Sequence, residues 1–216
     1  MTNNPAILFD LDGTLVNSLP DICGVVNLVR EKLSLRLMPA AEVRPKVGRG
    51  MDYLVAHCFT EIPEAERTAL VDTFRELYFE QPHHGGALYP DVLPTLTTLR
   101  EAGLKVAVAT NKQTRIAIRT LEFYLPEFTF DLVVGHDSVS ERKPSARHLL
   151  ETLERLGVGA LEAWMVGDDN IDRQAAYGAG VNFLAATWGF GGVQAEKSEC
   201  VQGFKEILHR IIPTKV

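Results

Sequence analysis

Cysteine is scarce in this chain. Only Cys23, Cys58 and Cys200 occur among 216 residues, far apart and with no Cys-x-x-Cys pair. An odd, scattered set of this kind gives no disulfide framework, and reduced thiols are the expectation. Long apolar runs are missing too. No stretch approaches the length of a membrane span. The N-terminus lacks a basic segment followed by a long apolar run, so no signal peptide is read there. Basic residues are outnumbered, 22 Lys and Arg against 28 Asp and Glu, for a formal net charge of −6. A binder of phosphate backbones would show a basic face, and an acidic balance disfavours a membrane surface. Neither nucleic acid nor membrane is therefore expected as a partner, and the cytoplasm is the expected location. There is no internal repeat and no low-complexity segment.

What is present is an ordinary globular composition, 46% hydrophobic and 23% charged, which argues for a packed core and against disorder. The length suits one α/β domain, or a core with a modest insertion. The run 6–9 (Ala-Ile-Leu-Phe) is apolar and stops at Asp10, as a buried strand of a parallel sheet would. Similar runs recur at 104–109, 132–134, 163–166 and 181–185. Between them lie helical patterns. Val92, Leu93, Leu96 and Leu99 precede Gly103, and Leu149, Leu150, Leu153 and Leu156 precede Gly157; glycine just past a helix end suits a left-handed cap. The alternation predicts a doubly wound parallel sheet.

The stretch after the first strand differs. Ile22, Val25, Val26, Val29 and Leu33 share one helical face, and Leu70, Val71, Phe74, Leu77 and Tyr78 share another, with no strand pattern between. This predicts an all-helical insertion over 17–83, with the α/β core formed by 1–16 and 84–216. His83-His84-Gly85-Gly86 would be the returning linker, and the adjacent histidines suit a linker better than a zinc pair.

Ligands of open parallel sheets bind beyond the carboxyl ends of the strands, so the residues just past each apolar run matter most. Asp10, Asp12 and Thr14 come after the first, and Thr110 and Asn111 after the second. Lys143-Pro144 comes a loop after the third, and Gly167, Asp168, Asp169 and Asp172 come after the fourth. Carboxylates, a hydroxyl and an ammonium thus converge on one sheet edge. Hard carboxylate oxygens select Mg²⁺. One Asp can attack phosphorus, and a second, two positions on, can protonate the leaving group. The lysine and the metal would spread the charge of the transferred group, and would reverse locally the repulsion that the acidic chain exerts on an anionic substrate.

These motifs resemble those of the haloacid dehalogenase-like superfamily. Asp10-Leu11-Asp12-Gly13-Thr14-Leu15-Val16 looks like its first motif, Thr110-Asn111 its second, Lys143-Pro144 its third, and Gly167-Asp168-Asp169-Asn170-Ile171-Asp172 its fourth. The resemblance covers essentially the whole chain. It implies a Rossmann-like core, a small helical cap over the site, and Mg²⁺ as cofactor. It also implies roles: Asp10 as nucleophile and metal ligand, and Asp12 as general acid/base with its backbone carbonyl facing the metal. Thr110 and the Asn111 N–H would bind phosphoryl oxygens, near Gly13 and Thr14. Lys143 would neutralise Asp10 and the phosphoryl group. Asp168 would be the remaining protein metal ligand, and Asp172 would orient Lys143 or bind metal waters. Asp169 suits a helix cap.

Leu88-Tyr89-Pro90, Ala109-Thr110-Asn111-Lys112, Thr187-Trp188-Gly189-Phe190-Gly191 and the insertion's Val47-Gly48-Arg49-Gly50 look most like phosphoglycolate phosphatases. That likeness implies a small phosphorylated metabolite, with 2-phosphoglycolate first, acted on by a monomer or homodimer. Arg49, or more weakly Lys46, would hold a substrate carboxylate, although the Gly48-Arg49-Gly50 turn is equally readable as a helix connection. A sugar-phosphate mutase and a non-catalytic binding module on the same fold stay open beside the phosphatase. A dehalogenase is disfavoured, since it dispenses with the acid at Asp12.

Overall fold

A computed structural model describes residues 4–80 and 85–212. The chain runs β1 (Ala6–Phe9), β2 (Val16–Asn17), α1 (Leu19–Lys32), α2 (Ala40–Val43), α3 (Met51–Cys58), α4 (Glu64–Glu80), β3 (Ala87–Leu88), α5 (Val92–Glu101), β4 (Lys105–Ala109), α6 (Thr114–Tyr124), β5 (Leu132–Val134), α7 (Ala146–Leu156), β6 (Ala163–Gly167), α8 (Asn170–Ala179), β7 (Asn182–Ala186), β8 (Cys200–Val201) and α9 (Phe204–Ile211). The strands predicted from apolar runs form within a residue of their expected bounds. The two-residue strands β2, β3 and β8 are too short to leave a period in the sequence.

Six strands form one sheet in the order β5-β4-β1-β6-β7-β8, every pairing parallel. The strand order reverses between β1 and β6, the switch point where such sheets open a crevice. Side chains alternate across β1 as the pleat dictates. Ile7 and Phe9 join Val106, Val108 and Val166 against α5, α6 and α9, whereas Ala6 and Leu8 join Ala107 and Met165 against α7 and α8. Gly157 and Gly180 close α7 and α8 in the left-handed conformation.

Two apolar positions fall outside their expected faces. Leu150 is exposed because it comes directly after Leu149, and the 100° turn per helical residue carries it from the sheet to the solvent flank. Leu33 lies past the last turn of α1 and is exposed as well.

Helices α1 to α4 form a unit with its own core, in which Ile22, Val25, Val26, Val55, Phe59 and Phe74 are buried together. Ile116 of α6 enters the same core and seats the unit on the sheet domain. The chain enters and leaves through β2 and β3, which pair antiparallel, Val16 opposite Leu88 and Asn17 opposite Ala87. Asp21 of α1 reinforces this junction, accepting hydrogen bonds from the Gly86 N–H (2.8 Å) and the Tyr124 hydroxyl (2.6 Å). His83 and His84 of the expected linker lie outside the described residues. No described helix is long and apolar enough to cross a membrane.

The packing sets two expectations for stability. Phe74→Ala removes a fully buried ring from the helical unit and should cost about 3–5 kcal/mol in urea unfolding; a loss under 1 kcal/mol would show that the unit's core is loosely packed. His148 of α7 is buried, with Nδ1 unpartnered and Nε2 at 3.4 Å from the Val134 carbonyl. Burial, aided by the Lys143 charge, pushes its imidazole down to about 3. The unfolded chain takes up that proton near pH 6.5 and the folded one does not, so stability falls as pH drops from about 6.5 towards 3. His148→Leu should flatten that slope by up to about 1.4 kcal/mol per pH unit, and identical slopes in urea titrations of both proteins would refute the assignment.

Candidate active site

The sheet's own hydrogen bonds run one residue past the strands and fix the first site residues. The Asp10 N–H donates to the Val166 carbonyl and the Thr110 N–H to the Val134 carbonyl, each at 2.9 Å. Asp168 comes directly after β6. Lys143 comes from the loop before α7, joined to Pro144 by a cis peptide bond. The side-chain amide of Asn111 clasps that loop from both sides: its oxygen accepts from the Lys143 N–H at 3.0 Å, and its nitrogen donates to the Lys143 carbonyl at 2.8 Å. The same nitrogen reaches the Gly48 carbonyl of the helical unit at 3.0 Å.

Lys143 is 1% exposed. Its ammonium donates to Asp172 Oδ1 at 2.6 Å and to the Ala109 carbonyl at 2.7 Å, and lies 2.9 Å from Asp10 Oδ1. The last contact is an ion pair, and Asp10 Oδ1 has no donor besides Lys143 among the described residues. Burial pushes the Lys143 pKa down, but the charges of Asp10 and then Asp172 outweigh it and hold the ammonium above its usual range.

Asp10, Asp168 and Asp172 bring carboxylate oxygens within 4.8 Å of one another. One ammonium cannot balance three buried carboxylates. Burial first, then the charges of Asp172 and Asp10, raises the Asp168 carboxyl well above the carboxylate range. Burial also raises Asp172, with Lys143 opposing it. The surplus negative charge and the all-oxygen donor set together fit a hard divalent cation.

Gly13 and Gly189 make room for Asp168. Gly13 has φ +86°, and a Cβ at either glycine would overlap the Asp168 side chain. The Thr14 hydroxyl donates to Asp168 Oδ1 at 3.1 Å, and the Gly191 N–H donates to Oδ2 at 2.7 Å. Thr14 thus reaches the acidic cluster through Asp168. Asp169 caps α8, accepting from the Ile171 N–H at 3.1 Å, while Asp172 Oδ2 accepts from the Asp169 N–H at 3.1 Å. This reciprocal cap fixes Asp172 beneath Lys143.

Asp12 turns away from the acidic cluster. Its carboxylate accepts from Lys112 Nζ at 2.7 and 3.0 Å and from the Ser18 hydroxyl at 2.6 Å. Ser18 stands at the start of α1 but leaves the helix end uncapped, so its hydroxyl joins the helical unit to Asp12. Sequence reasoning assigns no part to Lys112 or Ser18. Lys112 has a signal as the last residue of Ala109-Thr110-Asn111-Lys112, one of the stretches that carry the phosphatase likeness, and Ser18 has none.

Arg49 is exposed. Its guanidinium lies over the Tyr53 ring, 5.1 Å from the centroid, in an outer cleft shared with Lys143 and Asp169. Lys46 donates to the Glu42 carbonyl of α2. Beside them Arg142 forms a two-pronged pair with Asp52 of α3, both distances 2.9 Å, a cross-link between the helical unit and the lysine loop.

Two cavities meet at Asp10, Asp12, Val47 and Gly48. One, of about 220 Å³, is polar and holds Asp168, Asp169, Arg44 and Gly191. The other, of about 50 Å³, lies under the helical unit. Ile22, Met51, Leu54, Phe74 and Tyr78 form its apolar wall, and Thr110 and Lys112 its polar side.

Comparison with known proteins agrees with this geometry. Phosphoglycolate phosphatases of Xanthomonas campestris and Aquifex aeolicus are each 35% identical to the chain, the first over 86% of it and 84% of the relative, the second over 85% of both. A crystal structure of a predicted phosphoglycolate phosphatase from Haemophilus somnus superposes with a TM-score of 0.88 at 29% identity, covering 96% of this chain and 98% of that one. The family model described as haloacid dehalogenase-like hydrolase matches residues 7–186, the span that carries all four motifs, and the chain belongs to that family.

Proposed function

We propose that this hydrolase cleaves small phosphomonoesters with Mg²⁺, through a phosphoryl group carried on Asp10, and that 2-phosphoglycolate is its substrate. The observation that carries the reading is the meeting of the two cavities at Asp10 and Asp12. A charged cleft suited to a phosphoryl group and a cation adjoins a small apolar chamber suited to a leaving group. The relatives from Xanthomonas and Aquifex are phosphoglycolate phosphatases matched over most of their length. The helical unit, residues 17–83, acts as the cap that shuts the chamber over a core formed by 1–16 and 84–216.

A carboxylate oxygen of Asp10, at the floor where the two cavities meet, makes the attack. It forms a bond to phosphorus as the ester oxygen departs. Asp12 gives that oxygen a proton, then takes one from the water that cleaves the acyl phosphate. The Thr110 hydroxyl and the Asn111 N–H, with the backbone around Gly13 and Thr14, hold the phosphoryl oxygens. Lys143 offsets the charge that gathers on them. Asp10, Asp168 and the Asp12 carbonyl would hold Mg²⁺, with Asp172 and Asp169 behind them. The ion supplies Lewis-acid neutralisation of the phosphoryl charge.

Size separates this reading from the sugar-phosphate mutase. The inner chamber is small, about 50 Å³, and suits the two-carbon acid of phosphoglycolate better than a hexose.

Phosphate release from 2-phosphoglycolate with Mg²⁺ should fall at least about 10³-fold in Asp10→Asn, because the nucleophile itself is lost. Undiminished turnover would sink the covalent route, and inactivity of the unaltered protein on a panel of metabolite phosphates would favour a binding module. The metal assignment has its own readout. At about 100 times its dissociation constant Mg²⁺ should stabilise the protein by about 2.7 kcal/mol. That gain, seen as a rise in Tm relative to EDTA, should largely vanish in Asp168→Asn; equal rises in both would place the ion elsewhere.

A further inference from the structure

We infer that Lys112, rather than a cation of the helical unit, reads the carboxylate of the substrate's leaving group. The inference rests on the proposed phosphatase reading and deepens it, by restricting the substrate to small phosphorylated acids.

Among the described residues lining the inner chamber, Lys112 is the one cation. Its side chain is 7% exposed. The ammonium sits over the ring of Tyr78, 4.6 Å from the centroid, and bonds both oxygens of Asp12. A buried ammonium needs an anion, and Asp12 supplies it in this structure. Ammonium has three donors in a movable tetrahedron, so Lys112 can keep one oxygen of Asp12 and give a proton to a second acceptor.

The position suits that acceptor. In a phosphorylated α-hydroxy acid the carboxylate carbon is two bonds from the ester oxygen. If Asp12 faces the ester oxygen, a cation bound to Asp12 lies one short step from the carboxylate. The chamber is small and its wall on the helical unit is apolar, so a carboxylate entering it loses water and needs a fixed partner. A second observation points to an incoming acceptor. Tyr78 lines the same chamber, is 1% exposed, and its hydroxyl has no hydrogen-bond partner among the described residues. A buried donor left unpaired carries a free-energy cost that an acceptor arriving in the chamber would relieve. Arg49, in contrast, lies in the outer cleft over Tyr53 and is absent from the chamber wall.

The test compares 2-phosphoglycolate with 2-hydroxyethyl phosphate, which replaces the carboxylate by a neutral group of similar size. Both are assayed with Mg²⁺ in the unaltered protein, in Lys112→Met, which keeps the unbranched stem over Tyr78, and in Lys112→Arg. The unaltered protein should prefer phosphoglycolate by at least about tenfold in kcat/KM, the scale of one charged hydrogen bond. Lys112→Met should lower kcat/KM for phosphoglycolate by about 10- to 100-fold, chiefly through KM. The neutral ester should lose at least about tenfold less, because any effect carried through Asp12 falls on both esters alike and the carboxylate contact on one. Lys112→Arg should restore part of the preference. An equal fall on both esters would overturn the proposal and assign Lys112 to positioning Asp12. An unaltered protein that cleaves both esters equally well would overturn it while leaving the phosphatase reading intact. Cleavage of neither ester, nor of any other phosphate, would remove the phosphatase reading and this inference together.

Discussion

Everything at the sheet edge is organised around one buried ammonium. Lys143 lies between Asp10 and Asp172, almost wholly out of water, and a charge in that position persists only where its partners are fixed. The structure fixes them in three independent ways. Asp10 is held by the last ladder bond of β1, Asp172 by its reciprocal cap with Asp169, and the Lys143 backbone by the amide of Asn111. Loss of any one would leave an uncompensated charge in the interior. The same arrangement explains why the third carboxylate, Asp168, is the strained member. It has hydrogen-bond donors in Thr14 and Gly191 but no cationic side chain within ion-pair distance among the described residues, and the acidic neighbours oppose its ionisation.

The two aspartates of the first motif consequently live in different surroundings, though one residue separates them. Asp10 faces the lysine and the acidic cluster, and Asp12 faces Lys112, Ser18 and the helical unit. The turn at Gly13 allows this, because its left-handed backbone folds the chain over Asp168, where any side chain would collide. The polar cleft and the apolar chamber are the spatial expression of that division.

Much of this was legible in the sequence because a parallel sheet makes position readable. An apolar run that stops at Asp10, Thr110 or Asp168 is also a strand that delivers that residue to the common edge. Helical periodicity separates the insertion from the core for the same reason. The sequence is silent where the answer depends on direction. Lys112 and Asn111 are neighbours, yet one turns into the chamber and the other clasps the lysine loop, and no periodicity separates them. Tyr78, the ring beneath Lys112, comes from a helix 34 residues earlier. Arg49 carries the expected charge in the expected loop, and which cleft its guanidinium faces, here the outer one over Tyr53, has no signature in the chain. Leu150 shows the same limit on a smaller scale, since an apolar residue beside a buried one is turned out by helix geometry alone.

The ribbon formed by β2 and β3 has a wider consequence. Because Val16 and Leu88 stand opposite each other, the helical unit hangs from the sheet domain by two adjacent points, and the hydrogen-bonded ladder of the large sheet never passes through it. A segment attached in this way can be lengthened, shortened or exchanged without rethreading the core. Evolution can therefore revise what enters the chamber while the acidic cluster at the sheet edge stays as it is. Ser18 and Gly48 mark where that independence ends, since these residues of the insertion bond directly to Asp12 and Asn111, and any replacement unit would have to supply their equivalents.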